Sequence, residues 1–154
     1  MKNREYIYKI TSIALIIDQI IKLLINTKMT LHQQIKVIPN FFTIFYVKNT
    51  GAAFSILENN TIFLTIISVI FIVILDRFIK KEKSFKKLEA ISLGMIMGGI
   101  FGNLIDRIIH HAVIDYLSFK IINYEFPVFN CADICITVGV FLLILSMIIE
   151  RKKA

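Results

Sequence analysis

Tryptophan is absent from this 154-residue chain, and cysteine occurs only twice, at Cys131 and Cys135. A separation of four fits neither a CxxC redox pair nor a zinc-ligand grouping. Both cysteines read instead as small apolar residues at the start of a helix. Polar interruptions are equally scarce. Residues 62–75 offer no polar face, which argues against a soluble bundle, whose helices need one. No secretory cleavage site follows the first apolar run, which is expected to stay in the membrane. A chain of this length leaves no room for a separate soluble module, so residues 1–154 are expected to form a single integral membrane domain.

Hydrophobic residues make up 56% of the chain, against about 45–50% in soluble domains. Isoleucine and phenylalanine supply much of this. A bilayer core requires about 20 apolar residues in helical form, and four stretches meet or approach that length: 6–25, 61–79, 88–109 and 132–149. The second and fourth are slightly short, which local thinning or snorkelling absorbs. The net charge of +7 is not spread along a recognition surface, so no nucleic-acid partner is expected. Lys2 and Arg4 precede the first span and Lys9 lies in its first turn. Arg77 in the last turn of the second span is followed by Lys80, Lys81, Lys83, Lys86 and Lys87 in the connection to the third, and Arg151, Lys152 and Lys153 close the chain. The other two connections are longer and, with the span end that leads into the second of them, carry only Lys28, Lys36, Lys48, Arg107 and Lys120. The positive-inside rule then places both termini in the cytoplasm and residues 26–60 and 110–131 outside.

Residues 37–47 and 116–129 are rich in aromatic and β-branched side chains, which favours short strands. Aromatic rings settle at headgroup depth. The expected fold is a mainly α membrane protein: a four-transmembrane-helix bundle carrying a small extracytoplasmic β-sheet cradle at the membrane surface. Gly94, Gly98 and Gly102, with Gly99 beside them, form a doubled small-xxx-small pattern in the third span. Such a face serves close helix packing, either within one chain or between two copies.

Ionisable groups inside a span are costly, about 2.5–3.5 kcal/mol or more at the bilayer centre. Asp18 and Lys22 are four apart, share a helix face and read as a structural ion pair. Asn103, Asp106 and Arg107 form a polar patch at the outer end of the third span, with Asp106 the natural anchor for the Arg107 fork. The patch is either a structural clamp or a cradle for the carbonyls of an extended substrate.

Asp115 follows Val113-Ile114, and Asp133 follows Asn130-Cys131-Ala132 as the fourth span begins. Asp133 taken alone reads equally as a helix cap, and Asp115 alone as a solvated loop acid. If the two lie together in an apolar setting, repulsion and desolvation keep one proton on the pair. One carboxylate can then take a proton from water while its protonated partner polarises a carbonyl, the division of labour of aspartic proteases. His110 and His111 invite a metal reading, but adjacent helical positions point about 100° apart. No metal or other cofactor is expected.

In this order, these residues resemble the bacterial lipoprotein signal peptidase (signal peptidase II) family. The blocks are Asp18-Gln19-x-x-Lys22, Asn49-Thr50-Gly51-Ala52-Ala53-Phe54-Ser55, Gly99-x-x-Gly102-Asn103-Leu104-Ile105-Asp106-Arg107, Val113-Ile114-Asp115-Tyr116 and Phe129-Asn130-x-Ala132-Asp133. The resemblance implies a four-span aspartyl endopeptidase in the bacterial cytoplasmic (inner) membrane, its active site on the extracytoplasmic side. Such an enzyme removes the signal peptide from diacylglyceryl-prolipoproteins, cutting before the lipidated cysteine. Asp115 and Asp133 fall on the catalytic dyad, and Asn49, Gly51, Asn103, Arg107 and Asn130 on positions that line or support the substrate groove. Asp18, Lys22 and Asp106 remain structural polar residues. His111-Ala112, Tyr116 and Ile134 depart mildly from the pattern. Expected partners are the lipidated precursors and membrane lipids, with the chain a monomer and residues 54–60 a lid. Two other readings stand beside this one. A small proton-coupled transporter would use Asp18, Lys22 and Asp106 as relay groups, but the chain lacks internal repeats. A non-catalytic membrane assembly factor would use the glycine face.

Overall fold

The computed structural model describes residues 3–51, 60–122 and 124–151. The Ala52-Ala53-Phe54-Ser55 segment of the second motif and all of the expected lid but Asn60 lie outside the described residues. Among the described residues four helices are long and apolar enough to cross a membrane. They are α1 (Arg4–Lys28), α2 (Thr61–Lys81), α3 (Lys87–His110) and α4 (Cys131–Arg151). Each continues the apolar run of the sequence into flanking polar positions, because nothing in those flanks breaks a helix.

α3 is the hub and packs against α1, α2 and α4. Over its most apolar stretch 61% of its residues are buried, against 11% for α2. Its glycines explain the difference. A Cβ on Gly94 would stand 2.7 Å from Ile10 Cβ, and one on Gly98 would stand 2.7 Å from Ala14 Cβ, so this edge lies against α1. A Cβ on Gly99 would collide with the Ala132 carbonyl of α4. On α4, Gly139 returns the close approach toward Ile96 and the Ser92 carbonyl. The glycine pattern is therefore occupied within the chain. The outward faces of α1, α2 and α4 are lined with exposed isoleucine, leucine and phenylalanine, including Ile20, Phe71 and Phe141, a surface suited to acyl chains.

Both turns of the sequence toward strand composition become strands. β1 (Gln34–Ile38) and β2 (Phe42–Asn49) form a hairpin around Pro39-Asn40, with Asn40 left-handed at φ 58. β3 (Val113–Ile121) follows α3 and β4 (Tyr124–Glu125) completes an antiparallel sheet ordered β1-β2-β3-β4. β3 begins three residues earlier than the aromatic stretch implied, so Asp115 lies on a strand opposite Val47 rather than in a solvated loop. Phe42 and Phe129 each stack on Phe119, with centroids 4.7 and 5.7 Å away. Beneath the sheet, Tyr46, Ile114 and Tyr116 pack on Ile25 of α1 and on Met29 just past its end. At the other end of the bundle Arg4 donates to the Lys80 and Glu82 carbonyls, and Asn3 to that of Phe85. The chain start and the basic α2–α3 connection therefore share one end, opposite the sheet.

Candidate active site

The site is assembled where α1, α3, β3 and the start of α4 converge beneath the sheet. Its foundation is a buried ion-pair cluster. Lys22 Nζ lies 2.9 Å from Asp18 Oδ2, 2.9 Å from Asp106 Oδ2 and 2.9 Å from Asn103 Oδ1. Those three acceptors use all three ammonium protons. Asp18 is 0% exposed, and Lys22 and Asp106 are each 2% exposed. Burial is tolerable because the remaining lone pairs are also used. Asp18 Oδ1 accepts the Ala132 N–H at 2.9 Å, and Asp106 Oδ2 accepts that of Ile114 at 3.0 Å. The Gln19 amide donates to Asp18, to the Gly102 carbonyl and to Asp106. The cluster ties α1 to α3, to the start of β3 and to the start of α4.

Two asparagines carry this cluster to the acid pair. Asn103 receives Lys22 on its Oδ1 and donates from Nδ2 to Asp133 Oδ1 at 2.8 Å. Asn130 donates from Nδ2 to Asn103 Oδ1 at 3.1 Å and to Asp115 Oδ1 at 2.6 Å. Asn130 also caps α4. Its Oδ1 accepts the Asp133 N–H at 3.0 Å, while Asp133 Oδ2 accepts the Asn130 N–H at 3.1 Å. This is a reciprocal capping box with an acid at its third helical position. Asp133 is thus a capping partner from inside the first turn rather than the N-cap itself. From β2, Asn49 donates to Asp115 Oδ2 at 3.0 Å and accepts the Gly51 N–H at 2.9 Å.

The two carboxylates are held by one network, without a hydrogen bond to each other among the described residues. Their environments differ. Asp133 is half-buried, whereas Asp115 is 2% exposed. Burial first, and the Asp133 charge second, push the Asp115 carboxyl up to about 7. Hydrogen bonds from Asn49 and Asn130 and the Lys22 charge oppose that shift without cancelling it. A neutral buried acid beside a better solvated one is an arrangement able to donate a proton from one group and accept at the other.

Arg107 departs from its expected anchor. Asp106 turns toward Lys22, and Arg107 instead donates to the Gly51 carbonyl at 3.4 Å and to the Asn103 carbonyl at 3.5 Å. Consecutive helical positions cannot face one partner side by side. His111 ends α3 in the left-handed conformation at φ 55, and its carbonyl accepts the Thr61 hydroxyl of α2 at 3.1 Å. Among the described residues no three of His, Cys, Asp and Glu are grouped so as to hold a metal ion. Two contributors went unassigned in the sequence. Gln19 is adjacent to Asp18, a signal that was present. The Tyr116 hydroxyl accepts the Cys131 N–H at 3.2 Å, which pins β3 to α4, and no local pattern announces that contact.

The match to a family model described as signal peptidase (SPase) II covers residues 10–149. A lipoprotein signal peptidase of Symbiobacterium thermophilum is 42% identical over 141 residues, spanning 92% of this chain and 93% of that protein. Two solved structures are similar throughout, described as bacterial membrane enzymes determined by the in meso method at 2.3 and 1.9 Å resolution. The first superposes with a TM-score of 0.89 at 32% identity, covering 97% of this chain and 91% of its own. The second has a TM-score of 0.83 at 33% identity, covering 93% of this chain and 92% of its own. A four-helix membrane scaffold with these relatives defines a membrane peptidase. The chain belongs to the signal peptidase II family.

Proposed function

We propose that this peptidase hydrolyses the bond before the diacylglyceryl-cysteine of prolipoproteins, with Asp115 and Asp133 as its catalytic pair. The supporting observation is the bridging of the two carboxylates by Asn130 and Asn103 at the place where the apolar bundle meets the sheet. In this reading Asp115 keeps its proton and polarises the scissile carbonyl. Asp133, better solvated, takes a proton from the attacking water. The pair then returns the proton to the leaving amine, with no covalent intermediate. Asn49 and Asn130 hold Asp115, Asn103 holds Asp133, and Gly51 and Arg107 line the groove along which an extended substrate lies.

The proposed setting is the bacterial inner membrane, with both termini and the basic α2–α3 connection in the cytoplasm and the sheet outside. The lipidated cysteine anchors the scissile bond at that outer depth, and the exposed apolar helix faces receive acyl chains and the signal helix. A single chain supplies the whole site, which supports a monomer. The transporter alternative is not favoured, because its relay groups Asp18, Lys22 and Asp106 are locked together and fully partnered. The test is incubation of the purified protein with a lipidated precursor, with and without a chelator. Wild type is expected to cleave under both conditions, and Asp115→Asn and Asp133→Asn to lose at least about 10³-fold in rate. Substantial turnover by either folded variant overturns the assignment.

A further inference from the structure

The buried ammonium of Lys22 does more than balance Asp18. We propose that Lys22 is a positioning residue for the acid pair: by occupying Asn103 Oδ1 it fixes that amide with its NH2 aimed at Asp133 and links both carboxylates to one positive charge. An asparagine amide presents an acceptor and a donor that a flip of the side chain exchanges. Here the flip is closed. Asn103 Oδ1 meets two donors, Lys22 Nζ at 2.9 Å and Asn130 Nδ2 at 3.1 Å. Reversal would press an NH2 group against an ammonium and a second amide, and would aim a carbonyl oxygen at the Asp133 carboxylate. The same Asn130 amide group that touches Asn103 donates its other proton to Asp115. One cation thus orders two amides, and the two amides order two acids. Head-to-tail hydrogen bonds polarise one another in a low-dielectric setting, so the Lys22 charge strengthens the donor that Asp133 receives from Asn103, while it acts on Asp115 through space.

The charged and titratable groups around Lys22 come from every element packed on it. α1 contributes Asp18, α3 contributes Asp106, β3 contributes Asp115 and α4 contributes the Cys131 thiol, with Asp133 one amide further on and Arg107 facing the aspartates. On the sheet side, the phenols of Tyr46 and Tyr116 lie within the fields of Asp106 and Asp18. Among the described residues Lys22 is the one cation hydrogen-bonded to an amide that in turn donates to one of the acids. Arg107 reaches backbone carbonyls instead. This inference rests on the reading of Asp115 and Asp133 as the catalytic pair, and it adds a route by which a residue outside the groove controls them.

Removal of Lys22 alone would strand two buried acids, so the informative comparison is Lys22→Met/Asp106→Asn against Asp106→Asn alone. The double variant removes one charge of each sign and keeps the net charge of the cluster. Relative to Asp106→Asn, it is expected to lower kcat at least tenfold with KM within about threefold. The alkaline limb of its rate profile, where Asp115 gives up its proton, is expected to move up by half a pH unit or more. Equal kcat and unmoved limbs in a folded double variant overturn the proposal. If the double variant does not fold, Lys22→Gln/Asp106→Asn, which restores an amide donor, carries the same comparison. Failure of both to fold while Asp106→Asn folds also overturns it, since Lys22 would then be a fold element only. Asp115→Asn and Asp133→Asn, assayed in parallel, keep the outcomes separate. Their inactivity beside an unaltered double variant defeats the relay and leaves the pair standing, whereas their turnover defeats the pair itself.

Discussion

Asp115 is a buried carboxyl with a raised pKa, and its environment yields a stability prediction with a definite sign. Its carboxyl is raised from 3.8 to about 7, chiefly by burial. The folded protein therefore holds this proton more tightly than the unfolded chain does. The stabilisation is fully present below about pH 4 and is lost as pH rises through about 7. Thermal unfolding in detergent should show a midpoint that falls between pH 4 and pH 8. Asp115→Asn, with no proton to release, should flatten that slope. A midpoint that rises over this range, unaltered in the variant, would show that Asp115 is not buried as described. Asn130 concentrates more roles than any neighbour, as N-cap of α4 and donor to Asp115 and Asn103. Asn130→Ala is expected to cost about 1 kcal/mol through the lost cap and at least about 10²-fold in kcat through the disordered acids. Thermal shift and single-turnover cleavage measure the two losses separately.

At the level of the element, the geometry of the acids depends on how closely α4 approaches α3. The Gly99 Cα faces the Ala132 carbonyl, one residue before Asp133, with no space for a methyl group. Gly99→Ala is expected to destabilise by about 1–3 kcal/mol through overpacking and to push Asp133 away from Asn103. Gly94→Ala, against Ile10 at the far end of α3, should bring similar destabilisation with much less loss of kcat per folded molecule. Equal catalytic losses in the two variants would mean that the α3–α4 approach does not position the acid. The helices themselves were legible because long apolar runs between charges leave no other stable form in a bilayer. The hairpin was legible from aromatic and β-branched runs around Pro39-Asn40. Less visible were contacts spanning large sequence separations. Asp106 pairs with Lys22 on another helix rather than with Arg107 beside it, and Asp115 reaches a strand whose first residues are plain Val113 and Ile114. No periodicity within either segment encodes such partners, which arise only when α3, β3 and α4 pack.

The whole molecule separates two ends with different chemistry. One carries the basic α2–α3 connection, held to the chain start by Arg4 and Asn3. The other carries the sheet and the acid pair. If the cation-rich end faces the cytoplasm, the acids lie at the outer interface, where a lipid-anchored peptide presents its first residues after the signal helix. The opposite orientation would place the site on the side that an exported precursor has already left. Single cysteines at two exposed positions, Lys36 on β1 and Lys83 between α2 and α3, decide between the orientations in a Cys131→Ala/Cys135→Ala background. In intact bacterial cells whose outer barrier has been removed, a membrane-impermeant maleimide should label Lys36→Cys directly. Lys83→Cys should react only after lysis, because charged loops of this kind are retained on the cytoplasmic side. Labelling in the reverse order would put the acid pair in the cytoplasm and remove the geometric reason for a lipidated substrate to meet it.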